Sequence, residues 1–274
     1  FAFTGSYTIP FTTMNNLYIS ATGTKTLGGN TTLQKGLSLS AISALVLECS
    51  TYNLTVTGTT TINGNASLQK SNAGSLVFIG SLNVLNGGIL NLSGNPSVEL
   101  RNGFTLQQSF TVNSGTNTWT FNTNNQNLSF GANGAVSITL NCNILISGAI
   151  TLSVTNTGAA ALTWITKTID GDNASSKLLM ASGTSAPIVN YQSSTQPMAT
   201  GILDTSTNLN TWIYGLNNQA IKGGASLVAK QVYRNLTLNG TGVKTLQGYV
   251  SVLNTYTLTS PATLALNGFT LTNP

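Results

Sequence analysis

Short runs that alternate apolar and polar residues fill most of the chain. Between Asn16 and about Val154 these runs follow one another closely, and Gly, Asn or Ser separates each run from the next. Alternation with a period of two is typical of strands that bury one face. A helical period is missing from the sequence, so the pattern predicts an all-β protein made of many short strands.

An internal repeat links the two ends of the chain. Residues 235–252 (NLTLNGTGVKTLQGYVSV) align without gaps with residues 16–33 (NLYISATGTKTLGGNTTL), and eight of the eighteen positions are identical. The register is expected to continue, so that Leu37, Leu39, Leu45 and Leu47 match Tyr256, Leu258, Leu264 and Leu266. We expect one backbone path for both copies, with Lys25 and Lys244 pointing outward and with these pairs buried: Leu17 and Leu236, Ile19 and Leu238, Leu27 and Leu246, Leu33 and Val252.

Repetition and composition together favour a parallel β-helix, or solenoid, with β-sandwich domains as the alternative fold. Charged residues are 5% of the chain, against a usual share of about 25%. Successive coils of a solenoid stack about 4.8 Å apart, so like side chains meet. Stacked Asn and Thr hydrogen-bond to one another, whereas stacked charges of one sign repel, and this explains the missing charge.

The sequence predicts four segments. Residues 1–15 form an N-terminal docking strand, residues 16–154 and 226–274 carry solenoid repeats, and residues 155–225 form an inserted β lobe with long loops and no copy of the repeat. The docking strand is either a cap on its own chain or a strand donated to a neighbouring subunit. In the second case the subunit contact comprises Phe1, Phe3, Tyr7, Ile9 and Phe11, together with Phe269 and Leu271 near the C-terminus.

Several kinds of chemistry are not supported by the composition. The chain has no histidine, the commonest general base and metal ligand, so we expect no catalytic, cofactor or metal site. The net charge of +5 comes from singly scattered Lys and Arg, which does not predict nucleic-acid binding. No run reaches the ~18 apolar residues of a membrane span. Cys49 and Cys142 form either a disulfide or two separate buried thiols.

A few residues remain as candidates for binding or catalysis. The IDGDN loop, with Asp170, Asp172 and Asn173, is favoured as a plain Asx turn over a calcium loop. Asp170, Asp172 and Asp204 serve glycoside cleavage only if their carboxylates converge. Trp164 and Trp212 are candidate contacts for a sugar ligand, although core packing is the commoner role of an isolated tryptophan.

The terminal repeats resemble a known kind of protein. The string YRNLTLNGTGVKTLQGYVSV, followed by TLALNGFTLT, is similar to the Asn/Thr/Gly-rich repeats of large secreted surface proteins of Gram-negative bacteria, especially Bacteroidota. Such proteins look like right-handed β-solenoid adhesins. The resemblance implies an extracellular or cell-surface location and a structural or adhesive role, and it supplies no catalytic residue.

The leading interpretation is a non-enzymatic extracellular structural protein, a subunit of a self-assembling surface fibre whose partners are copies of itself, head to tail. One alternative is an adhesin that binds a glycan or a host protein. The other is a polysaccharide-active β-helix enzyme. Because the first residue is Phe1, we also expect a mature product from which an export segment has been removed.

Overall fold

The structure is a computed structural model that describes residues 5–10, 12–107, 110–131, 136–159 and 161–273. Within these ranges it is all-β. The first ten strands are β1 (Tyr7–Ile9), β2 (Thr13–Ile19), β3 (Gly23–Leu27), β4 (Thr31–Glu48), β5 (Leu54–Val56), β6 (Thr60–Gln69), β7 (Ser75–Phe78), β8 (Leu82–Leu85), β9 (Ile89–Asn91) and β10 (Ser97–Leu100). The next ten are β11 (Phe104–Gln107), β12 (Thr111–Asn113), β13 (Thr118–Phe121), β14 (Gln126–Gly131), β15 (Val136–Leu140), β16 (Asn143–Ile146), β17 (Thr151–Asn156), β18 (Leu162–Thr166), β19 (Ile169–Gly171) and β20 (Lys177–Met180). The last nine are β21 (Pro187–Tyr191), β22 (Ile202–Asp204), β23 (Thr211–Tyr214), β24 (Gln219–Ile221), β25 (Gln231–Leu238), β26 (Val243–Leu246), β27 (Val250–Leu258), β28 (Thr263–Ala265) and β29 (Leu271–Thr272).

These strands stack as a parallel β-solenoid of about 12 turns. Each coil contributes strands to three faces. Face 1 runs from β1 through β3, the C-terminal parts of β4 and β6, and then β9, β12, β15, β18, β21, β23 and the C-terminal part of β25 to residues 255–258. Face 2 contains β5, β7, β10, β13, β16 and β19, and later β24, β26 and β28. Face 3 runs from β2 through β8, β11, β14, β17, β20 and β22 to β29.

The core lies inside the coils because alternate residues of every face point inward. On face 2 one inward column joins residues that pair from coil to coil and are at most 2% exposed: Leu54, Leu76, Val98, Trp119, Ile144 and Ile169. Burial of each such side chain contributes roughly 1.5–3 kcal/mol. The solenoid predicted from the sequence is therefore confirmed, and the β-sandwich alternative is wrong.

The two copies of the repeat follow the same backbone path at the start. Strand pairing slips by one residue between Met14 and Asn16 in the first copy, and between Tyr233 and Asn235 in the second. The predicted burial is confirmed, since the following eight residues are at most 4% exposed: Leu17, Ile19, Leu27, Leu33, Leu236, Leu238, Leu246 and Val252.

The predicted register fails farther along the repeat. Lys25 pairs with Leu47, but Lys244 pairs with Leu264, which had been matched with Leu45. The corner between β27 and β28 is two residues shorter than the corresponding part of β4, so Leu264 takes the place of Leu47. A gap-free alignment cannot represent this shorter corner.

The prediction of an inserted lobe at residues 155–225 is wrong. Strands β18, β21 and β23 pair in register with one another, and β23 pairs in turn with β25. On face 3, β20 lies between β17 and β22. These residues are ordinary coils of the solenoid, and their different composition reflects larger side chains in the core rather than a separate lobe.

The N-terminal strand lies on its own chain where the structure describes it. Strand β1 pairs in parallel with β3, placing Ile9 beside Leu27, and Ile9 is 1% exposed. Tyr7 is partly exposed. Phe1, Phe3 and Phe11 lie outside the described residues. The described part of this segment therefore favours a cap on its own chain over a donated strand.

Candidate functional site: the uncovered C-terminal coil

Buried lysines connect the coils at their corners. Lys25 and Lys244 were expected to point outward, and this is wrong, because both are fully buried, as is Lys70. The Lys70 ammonium donates to the carbonyl oxygens of Ser50 at 2.6 Å and Ala73 at 3.1 Å. Lys25 donates to Gly5 and Thr22 in the same manner.

Lys244 makes the most extensive of these contacts. Its ammonium donates to the carbonyl oxygens of Leu216 and Asn217 and, at 3.0 Å, to the side-chain oxygen of Gln219. Burial lowers the pKa of Lys244 to about 8 and also lowers the pKa of Lys70, because desolvation disfavours the charged form. The sequence held a signal for this arrangement, since Lys244 and Leu246 share one face of an alternating strand.

Asparagine side chains bond from coil to coil with a single polarity. Their carboxamide oxygens accept from backbone N–H groups of the following coil over 2.7–3.0 Å, in the pairs Asn16–Gly36, Asn30–Asn53, Asn53–Ser75, Asn95–Thr116, Asn125–Thr151 and Asn218–Val243. Asparagine donors, and some lysine donors, point the other way, to carbonyl oxygens of the preceding coil. Examples are Asn235 to Asn210, Asn208 to Met180 and Lys222 to Met198.

The asparagine side chains therefore give each coil a direction, although its backbone does not. Backbone N–H groups donate to both neighbouring coils, as Leu37 does to Thr59 in the following coil and Thr57 to Leu33 in the preceding coil. Several contacts depart from this polarity. Gln126 and Asp172 accept from the preceding coil, whereas Lys177 and Thr205 donate to the following coil. The polarity is thus a property of the asparagine contacts.

Among the described strands, those of the last coil, residues 253–273, have a neighbour on one side only. Leu258 is 44% exposed and Leu266 is 48% exposed. Leu39 occupies the position of Leu258 in the first copy of the repeat and is fully buried, because β6 covers it. Phe269 and Leu271, predicted as subunit contacts, are partly buried against the core of their own chain. The last coil thus leaves an apolar end exposed.

The opposite end of the solenoid differs. In the first coil, Ile9, Leu17 and Ile19 are at most 4% exposed although β2 pairs with β4 alone among the described strands. The two ends are therefore not equivalent. Leu258 and Leu266 are exposed in the last coil, whereas Ile9, Leu17 and Ile19 are buried in the first.

The acidic residues have structural partners rather than a shared site. Asp204 forms an ion pair with Lys177 at 2.6 Å on face 3, and Asp170 accepts from Thr200 at 2.9 Å on face 2. Asp172 accepts from Ser147 and Gly148, and these bonds lower the pKa of its carboxyl group. A carboxyl group acting as a general acid needs a raised pKa, so Asp172 does not fit that role.

The IDGDN loop contains the predicted Asx turn. The Asn173 side-chain oxygen accepts from the Ser175 N–H at 2.8 Å. Among the described residues, no group of three or more Cys, Asp or Glu side chains is placed to hold a metal ion.

The tryptophans proposed as ligand contacts lie in the core. Trp164 and Trp212 are fully buried and point into the solenoid, so the structure contradicts a surface-stacking role for them. Trp212 packs against Tyr191 and Tyr214 with ring centroids 6.1 and 6.4 Å apart. The core packing that the sequence favoured for isolated tryptophans is therefore confirmed, but the sequence analysis placed these two in a separate lobe rather than in coils of the solenoid.

The two cysteines are separate buried thiols, which decides the question left open by the sequence. Burial raises the pKa of both Cys49 and Cys142 to about 12. Neither thiol is therefore suited to act as a nucleophile near neutral pH.

Comparison with protein-family models, curated proteins and solved structures gives no match for this chain. In the part of the chain that the structure describes, no helix has the length and apolar character needed to cross a membrane.

Proposed function

We propose that this protein is a non-enzymatic structural β-solenoid, a subunit of a self-assembling extracellular or cell-surface fibre whose copies associate head to tail. The observation that carries the proposal is the stack of about 12 parallel coils, with a repeated unit and only 5% charged residues. Like coils stack well on like, and the low charge leaves little electrostatic repulsion between stacked copies.

The positions of the other candidate residues support a structural role rather than a catalytic or ligand-binding one. The Asp170, Asp172 and Asp204 carboxylates are held by hydrogen bonds or an ion pair within the coils. Trp164 and Trp212 are unavailable to a surface ligand because they are buried. These were the residues that the sequence suggested for glycan binding or polysaccharide cleavage, so their positions do not support either role.

Electron microscopy of the purified protein tests the proposal. About 12 coils at a spacing of about 4.8 Å make a rod roughly 55 Å long. We expect unbranched fibres of constant width with an axial repeat near that length. Isolated particles at high protein concentration would contradict assembly, and polysaccharide turnover that disappears in a D170N/D172N/D204N variant would contradict the non-enzymatic role.

A further inference from the structure

We infer that a groove on the side of the solenoid binds a uronate, that is, a sugar ring that carries a carboxylate, as part of an acidic polysaccharide. The groove lies where face 1 turns toward face 2, in the coils that contain β15, β18 and β21. Its residues are not those that the sequence suggested for a ligand. The inference does not depend on the proposed fibre, because the groove belongs to central coils.

The shape of the groove suits a small ligand. Its volume is about 290 Å³, near the lower limit of the ~300–1,000 Å³ that is usual for small-molecule sites. Asn141, Lys167 and Gln192 each follow the last paired residue of β15, β18 and β21, so they lie one above another in successive coils. Because parallel strands are about 4.8 Å apart, these three side chains form a polar column along one side of the groove.

Lys167 supplies the positive charge of the groove. The two ion pairs of the described chain involve Arg101 and Lys177, and no described residue forms a hydrogen bond with the Lys167 ammonium group. The described lining of the groove contains no Asp or Glu. A carboxylate that binds here therefore forms a charge-assisted contact with Lys167 without displacing an existing partner.

Aliphatic side chains supply an apolar surface in the same groove. Ile165 and Leu216 line it and are both partly exposed. A sugar ring has C–H groups on its faces and hydroxyl groups around its edge. It can therefore pack a face on these aliphatic side chains while its edge contacts polar groups, which is the usual composition of a small-molecule site.

Several polar groups are placed for the hydroxyls of such a ring. Thr139 and Asn141 are exposed where they line the groove. The Gln192 amide nitrogen donates to the Asn190 side-chain oxygen at 2.6 Å, which fixes the orientation of this amide. Thr166 also lines the groove, and its buried hydroxyl has no hydrogen-bond partner in the described structure, which is unusual for a buried polar group. A ligand hydroxyl, or a water molecule held by the ligand, would supply this partner.

The combination of these groups selects the class of ligand. A neutral sugar leaves the Lys167 ammonium without a counter-charge. A simple fatty acid satisfies Lys167 and Ile165 but offers nothing to the amides of Asn141 and Gln192. A uronate matches the cation, the aliphatic surface and the amides together.

Titration calorimetry at low ionic strength tests the inference on the unaltered protein. The probes are short oligomers of galacturonate, glucuronate, mannuronate and guluronate, each compared with its neutral methyl ester and with hexanoate. We expect at least one oligomer to bind, and its methyl ester to bind about tenfold more weakly or worse, because the ester loses the charge-assisted contact. Absence of binding by every oligomer would overturn the inference. Hexanoate that binds as tightly as the oligomers would also overturn it, since the site would then read charge alone.

Replacement of Lys167 locates the site. K167M keeps the aliphatic stem and removes the charge, so we expect it to weaken binding of the acidic oligomer about tenfold or more and to leave binding of the ester unchanged. The matched control is K35M, because Lys35 is an exposed residue of β4 in a coil away from the groove. K35M should bind like the unaltered chain, and circular dichroism checks that both variants are folded.

The outcomes separate this site from the proposed function. Binding by K167M that equals binding by K35M would place the contact elsewhere and overturn the inference. Fibres of K167M seen by electron microscopy are expected in either case, because the groove is not part of the fibre proposal. Failure of the uronate site therefore leaves the fibre role intact, and absence of fibres from the unaltered protein contradicts only the fibre role.

Discussion

At the scale of single residues, buried polar side chains hold the corners of the coils together. Gln126 is 3% exposed, and its amide group donates to the carbonyl oxygens of Leu100 at 2.7 Å and Asn122 at 2.6 Å. Its oxygen accepts from the Gly103 N–H at 2.9 Å. The Leu100 and Asn122 carbonyl oxygens each accept a second hydrogen bond from a backbone N–H group. The Gly103 N–H group is therefore the one that would lose most if Gln126 were replaced.

Replacing Gln126 by Met keeps the volume of the side chain and removes all three bonds. We expect Q126M to lower the free energy of unfolding by about 1–3 kcal/mol, because the buried Gly103 N–H loses its partner. Denaturant unfolding followed by circular dichroism measures the change. Q34M is the matched control, since Gln34 is exposed and should change stability by no more than about 0.5 kcal/mol. Equal losses in both variants would contradict this account.

At the scale of the coil, glycine lets neighbouring corners approach closely. A Cβ atom on Gly58 would overlap the carbonyl oxygen of Lys35 in the coil below, and one on Gly80 would overlap the backbone of Gly58. The three residues therefore form a corner column in which adjacent backbones touch. Any side chain in this column must push the coils apart.

Alanine at Gly58 tests this close packing. We expect G58A to destabilise the protein by roughly 1–3 kcal/mol, since the overlapping atoms are backbone and cannot rotate away. G29A is the control, because the nearest atom to its Cβ is a methyl group of Thr12 at 3.3 Å. Thermal unfolding of the two variants gives the comparison. A stability loss in G29A as large as that in G58A would show that close backbone approach is not the cause.

The sequence predicted the solenoid coils correctly but misplaced the limits of the solenoid, because it assigned residues 155–225 to a separate lobe. Alternation specifies which side chains face inward, so the burial of Leu17 and Leu236 followed directly from the pattern. Alternation also put Lys25 on the same face as Leu27, but Lys25 was predicted to point outward because it is charged. In the structure, backbone carbonyl oxygens at the corner of the coil accept hydrogen bonds from its ammonium group in place of water. The central coils were misread as a lobe because Trp164 and Trp212 replace the smaller core residues of other coils.

At the scale of the whole molecule, the internal repeat provides a comparison between a covered and an uncovered coil. Residues 37–41 in the first copy pair with β6, and residues 37–39 among them also pair with β2 on the other side. Residues 255–258 in the second copy bond to β25, and no described strand lies on their other side. The two stretches occupy the same place in the repeat, so a difference in their protection reports coverage rather than local sequence.

Hydrogen exchange measures this difference amide by amide. In a dilute, monomeric preparation of the unaltered protein, we expect the amides of residues 255–258 to exchange much faster than those of residues 37–41, because end coils open without disturbing the rest of the stack. In fibres of the unaltered protein, docking of a second copy should slow exchange at residues 255–258 and leave residues 37–41 unchanged. Equal protection of the two stretches in the monomer would show that the last coil is as stable as an internal one. Unchanged exchange at residues 255–258 on fibre formation would show that the fibre contact lies elsewhere.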